Sequence, residues 1–178
     1  TSFHWACQRG HSGVVKIFME NASTLSIDLN QKNEKGWTGF HWASHAGYSD
    51  MIQIFMDYAA ALSIDLNTKD NIGMTGFHWA CELGHENVVK IFINNAATLG
   101  INLDIENNNG TTPFHLACRT GHTGVVKIFS DNLSFLEKFH LPFPLFAQTD
   151  QLLQPITFSQ HIPFSISPFL HDLHRLEL

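Results

Sequence analysis

Twelve histidines and three cysteines are the residues of this chain best equipped for chemistry. Histidine ligates metals and moves protons near neutral pH, and a thiolate is both a nucleophile and a metal ligand. Either role needs several such groups gathered at one point, and the spacing works against gathering. His4, His41, His78 and His115 recur at intervals of 37 residues, and His11, His85 and His122 share a second recurring position. The pair His85-Glu86 opens a zinc-protease pattern, but Val89 stands where its second histidine belongs. His171 and His174 fit one helical face with nothing nearby to complete a site. Cys7, Cys81 and Cys118 form no CxxC pair and align with Ser44, a small-residue position. Equivalent sites in stacked neighbours lie roughly 8–10 Å apart, too far for a disulfide, which needs its Cα atoms within about 7 Å. Packed, reduced thiols are expected. No phosphate-binding glycine loop, nucleophile elbow or carboxylate pair occurs. The expectation is a protein that is not an enzyme, with no metal and no cofactor.

The bulk properties agree. Apolar residues make up 44% of the 178 and charged residues 15%, a globular composition. A net charge of −6, with both signs mixed along the chain, leaves no basic stripe for phosphates, so nucleic acid is not an expected partner. No run of eighteen apolar residues and no leader-like start are present, so no membrane insertion is expected.

The recurring histidines belong to a longer repeat. Thr38 to Ala43 and Thr75 to Ala80 are both Thr-Gly-Phe-His-Trp-Ala, Thr112 to Ala117 is Thr-Pro-Phe-His-Leu-Ala, and Ser2 to Ala6 is Ser-Phe-His-Trp-Ala. Phe3, Phe40, Phe77 and Phe114 are 37 residues apart. Each block is followed by a glycine (Gly10, Gly47, Gly84, Gly121) and then an apolar run. Threonine at 38, 75 and 112 is an N-cap, Pro113 fits a first helical position, and the glycines stop a short helix. Ser12, Ser49 and Thr123 are read as caps of a second helix. Its apolar stripe is Val14, Phe18, Ala22 and Leu25 in the first copy. Met51, Phe55, Ala59 and Leu62 continue it in the second, and Val88, Phe92, Ala96 and Leu99 in the third. Polar stretches ending in Gly36, Gly73 and Gly110 are turn signals.

A helix, tight turn, second helix and hairpin loop, with Thr-Pro-Phe-His-Leu-Ala on the first helix, resembles the ankyrin repeat. The resemblance covers residues 1–136, as repeats of about 1–32, 33–69, 70–106 and 107–136. It implies an all-α solenoid of stacked helix pairs with projecting hairpin loops. It also implies that the shared histidine bonds within and between hairpin loops. The period of 37 exceeds the family's usual 33. The added residues continue the stripe at Leu25 and Leu62, so one more turn of the outer helix is expected, roughly 5–6 Å. Gly39 and Gly76 replace the family's proline, at a cost of about 0.5–1 kcal/mol.

By resemblance the chain is a protein-interaction scaffold, binding a protein partner through its concave face and loop tips. The alternative is a regulatory repeat segment of a larger enzyme or channel, of which this chain is a fragment. Carried over by alignment, the tip contacts are Glu34, Lys35 and Trp37, then Asn71, Ile72 and Met74, then Asn108, Asn109 and Thr111. The inner helices contribute Trp42, His45, Trp79, Glu82 and Arg119. Trp37, Trp42, Trp79 and Met74 form a candidate anchor patch, since tryptophan is enriched in binding hot spots. The competing expectation for Trp5, Trp42 and Trp79 is packing between neighbouring repeats. If the anchor reading holds, Trp37→Ala weakens binding and leaves the thermal midpoint nearly unchanged. A monomer inside the cell is expected, in the cytoplasm or nucleus. Beyond Glu137 five of the six prolines alternate with phenylalanine, and residues 137–178 are read as an irregular tail outside the array.

Overall fold

The computed structural model describes residues 1–132, which form one compact unit. The expected tail at 137–178 lies outside the described residues. Eight helices come in pairs: α1 (Ser2–Gln8) with α2 (Ser12–Glu20), α3 (Gly39–Ala46) with α4 (Ser49–Leu62), α5 (Gly76–Glu82) with α6 (Glu86–Leu99), and α7 (Pro113–Arg119) with α8 (Thr123–Asp131). Among the described residues there is no strand, as an all-α repeat requires.

Local chemistry sets where each inner helix begins. Thr1, Thr38, Thr75 and Thr112 cap α1, α3, α5 and α7, each hydroxyl accepting the amide N–H of the histidine three residues on. The histidine ring closes a capping box in return. Inner helices then stack on inner helices and outer on outer, the α1–α3–α5–α7 row lying beside the α2–α4–α6–α8 row.

Phenylalanine seals the layers. Phe3, Phe40, Phe77 and Phe114 are all buried, in equivalent places. Phe40 lies 5.1 Å from Phe55 of its own pair and 5.4 Å from Phe92 of the next. Phe77 repeats the arrangement with Phe92 at 4.9 Å and Phe129 at 5.8 Å. Each ring therefore joins two layers, and full burial of such a side chain contributes about 1.5–3 kcal/mol. No pair could close its own apolar flank alone.

Three local expectations need correction. Ser12, Ser49 and Thr123 are the first residues of their helices. The N-cap positions belong to His11, Tyr48 and His122, with no side-chain cap bond. These side chains point elsewhere: Tyr48 donates its hydroxyl to Gln8 O (3.4 Å), and His122 its Nε2–H to Glu82 O (2.9 Å), each reaching the preceding repeat. The lengthened outer helix forms in α4 and α6, at 14 residues each. In the first repeat α2 stops at Glu20 and 21–26 continue as turns. There Val14 and Leu25, assigned to the buried stripe, are 45% and 64% exposed. Their counterparts Met51 and Leu62 have the first repeat to pack against, and they do not.

Candidate interaction surface

The three hairpins at 33–37, 70–74 and 107–111 share one backbone. In each, the first residue donates its N–H to the carbonyl of the fifth, with N···O of 2.9, 2.8 and 3.0 Å. A side-chain oxygen of that first residue accepts two further amides: Asn33 Oδ1 takes Lys35 N and Trp37 N, and Asn107 Oδ1 takes Asn109 N and Thr111 N. Glycine follows at positive φ, at Gly36 (77°) and Gly73 (82°). A Cβ on Gly36 would also lie 2.8 Å from Asn71 N, so only glycine lets successive tips approach.

Neighbouring tips are laced together. Asn71 N donates to Lys35 O (3.2 Å) and Asn71 Nδ2 to Glu34 O (2.8 Å), and Asn108 treats Ile72 and Asn71 in the same way. Lys32 and Lys69 each reach the carbonyl of the residue 37 positions on, Lys69 O and Glu106 O. The shared histidine adds a latch between successive hairpins at His41 and His78. His41 Nδ1 accepts the Thr38 amide, which fixes the proton on Nε2, and Nε2–H donates to Met74 O at 3.2 Å. His78 donates to Thr111 O by the same geometry, while His4 donates instead to Gln31 O, ahead of its hairpin. Burial, which penalises the charged form, holds His41 below the usual histidine range and His78 at about 4. Neutral rings are what the latch requires. The cysteines are free thiols, with burial pushing Cys7 up to about 12 and Cys118 to about 11. Nucleophilic use near pH 7 is disfavoured at such values.

One hairpin departs from the frame in its chemistry. Asp70 stands where Asn33 and Asn107 stand, and its Oδ1 accepts Ile72 N and Met74 N like theirs. Its second oxygen accepts the indole N–H of Trp37 from the hairpin before (3.0 Å) and of Trp79 from the following helix (3.1 Å). An asparagine amide would present a donor there and could accept neither. Around this carboxylate four rings collect. Trp37 lies 4.6 Å from Trp42, 5.0 Å from His45 and 5.1 Å from Trp79, and His45 lies 5.3 Å from Trp79.

The structure divides the carried-over contact residues. Glu34, Lys35, Asn71, Ile72, Asn108, Asn109 and Arg119 are exposed, while Trp42, His45, Trp79, Glu82 and Thr111 are half-buried. Trp37 and Met74 are not exposed tip anchors: they retain 8% and 3% of their accessible surface. A fifth hairpin residue folds back under the tip because its backbone closes the turn, so a large side chain there packs inward. Trp42 and Trp79 are each half-buried with ring neighbours on the cluster side, and Trp5 is 59% exposed. Asp70 was missed as a partner of the tryptophans. Its signal is present in the sequence as the single acid in an Asn–Asp–Asn series. Among the described residues no cluster of histidine, cysteine or acid is placed to hold a metal ion. No described helix is long and apolar enough to cross a membrane.

The profile of a family described as ankyrin repeats (3 copies) matches residues 1–70 and 60–136 of this chain. With that match spanning three quarters of the sequence, and with this stacking and latch geometry, the chain belongs to the ankyrin-repeat family. No curated protein matches the chain.

Proposed function

We propose that the chain is a non-catalytic scaffold that binds a protein partner through the hairpin tips and the adjoining ends of the inner helices, its concave face. Ankyrin repeats are generally protein-interaction modules. The observation that carries the reading is a division of labour within each repeat. Frame residues are committed to the stack, whereas the exposed position beside them changes chemistry at each tip: Lys35, Ile72 and Asn109. On the inner-helix ends the series is Gln8-Arg9, His45-Ala46, Glu82-Leu83 and Arg119-Thr120. Different side chains at fixed geometry are what recognition needs. The partner is met by a monomer inside the cell.

Photo-crosslinking in the full chain tests this. A crosslinker at Ile72 or Asn109 captures a discrete protein, and one at Asp57 or Lys90 on the outer helices does not. Equal capture from both faces contradicts the reading. A second reading, a regulatory repeat segment of a larger enzyme or channel, draws support from the first pair. Val14, Ile17 and Leu25 are exposed there, while Met51 in the equivalent place of the second pair is fully covered. A further helix pair would seal that flank in the same way.

A further inference from the structure

Trp5, Trp42 and Trp79 occupy one position in three successive inner helices, and the first shows what the open side of such an indole takes. Arg9 Cζ stands 5.6 Å from the Trp5 ring centroid, within the range of cation–π attraction. The residue four places after the tryptophan is Arg9 at the C-cap of α1, Ala46 at the end of α3 and Leu83 at the C-cap of α5. Trp42 and Trp79 therefore have the same platform without a cation supplied by that position.

The electrostatics beneath them favour one. Asp70 is 7% exposed, and its four hydrogen bonds come from neutral donors, two backbone amides and two indoles. Neither described salt bridge involves it. A buried carboxylate charge acts through protein at an effective dielectric well below that of water. Donation to it also turns the positive N–H edges of Trp37 and Trp79 inward. Trp42 packs edge-on against Trp37 and shares in that arrangement. His45 stays neutral, held below its usual value first by burial and then by His85 and Lys35. Of the charges nearby, Lys35 opposes a second cation, and so do Lys32 and Lys69, whose amines are held on the Lys69 and Glu106 carbonyls. Glu34 next to Lys35 on the same tip offsets it, and Glu82 faces Arg119 at 3.8 Å.

We propose that the half-open indoles of Trp42 and Trp79, backed by Asp70, form a seat for an arginine side chain of the protein partner. This rests on the protein-binding reading and names the chemistry of its central contact. A guanidinium suits the seat better than an ammonium because it is planar, stacks on indole and sheds water more readily.

The probe is an acetylated pentapeptide, Gly-Gly-Arg-Gly-Gly amide, against the same peptide with neutral citrulline, titrated into the full chain. The indole N–H resonances of Trp42 and Trp79 report binding. The arginine peptide is expected to move both, and the citrulline peptide to bind about fivefold more weakly, the scale of a partly exposed cation–π contact. Ala46→Arg, which places the chain's own guanidinium where Arg9 sits in the first repeat, is expected to weaken arginine-peptide binding by a similar factor while the thermal midpoint stays put. Equal responses to arginine and citrulline, or undiminished binding in Ala46→Arg, overturn the proposal. Crosslink capture at Ile72 with no peptide response would remove the arginine seat and keep the binding face. Peptide response with no capture would do the reverse.

Discussion

The junction between the second and third repeats and the junction between the third and fourth share a backbone and differ in what they bury. At the first, Trp37 lies under the tip with its N–H on Asp70, and Trp79 shares the same oxygen. At the second, Met74 occupies the Trp37 position and Asn107 the Asp70 position, with Asn107 Nδ2 donating to Met74 Sδ at 3.3 Å. Both use the same turn bonds and the same histidine latch. The repeat thus fixes a scaffold, and three exchanges, Trp37 for Met74, Asp70 for Asn107 and Trp79 for Leu116, separate an anionic, aromatic junction from an amide–thioether one. The buried chemistry of one junction can change while the shared turn bonds and latch remain.

The largest expected effect lies at the ring that distinguishes the two. Trp37→Ala should destabilise the fold by about 3–5 kcal/mol, the usual range for a buried aromatic, and so reverses the expectation drawn from sequence that its midpoint would hold. Thr111→Ala, at the equivalent and half-buried position of the last hairpin, should cost less than about 1 kcal/mol. Chemical denaturation of both variants reads the contrast.

Exchanging the frame residues sharpens it. Asp70→Asn turns an amide donor toward two indole donors, and should cost about 2–3 kcal/mol, since bonds to a charged acceptor are each worth about 1.5–3. Asn107→Asp loses one weak sulfur contact and should cost under about 1 kcal/mol. Comparable losses in the two variants would mean the junctions do not differ as described.

Acid should strain the latches. His78 is held at about 4 when folded, against 6.5 in its absence. A depressed folded value means the unfolded chain binds the proton first, so the stabilisation is complete above pH 6.5 and is lost as pH falls toward 4. Between pH 7 and 5 the loss from this one ring is on the order of 2 kcal/mol, at about 1.4 per unit. Denaturation midpoints at the two pH values should converge in His78→Gln, and an unchanged slope with pH would contradict the assignment.

The smallest effect concerns helix ends. Ser63 closes α4 at φ 51° where Gly100 closes α6 at φ 64°. Ser63→Gly should raise stability by about 1 kcal/mol, because left-handed backbone costs side-chain-bearing residues roughly that much. Thermal melting would register it as a small upward shift.

Much of this architecture was legible because its determinants are local. A threonine three residues before a histidine is a cap wherever it occurs, and a phenylalanine every 37 residues marks one buried row. The outer-helix caps were misread by one residue because Ser12 and Ser49 have capping chemistry. The side chains actually at the cap, Tyr48 and His122, instead serve the repeat before them. Trp37 was misread for a related reason: position in a hairpin predicts exposure, and only the acceptor from the next repeat, 33 residues away, makes an inward indole favourable. The lengthened helix was read correctly in α4 and α6 and failed in α2, whose flank is not covered.

The central claim, that Trp37 and Asp70 act as one unit joining two repeats, is tested most directly by a double-mutant cycle. Trp37→Phe keeps an aromatic ring, smaller than the indole, and removes the N–H, and Asp70→Asn removes the acceptor. The two changes together should cost at least about 1 kcal/mol less than their sum, the signature of a direct contact. Additivity within about 0.5 kcal/mol would show that the two residues stabilise their layers independently, and would contradict the account.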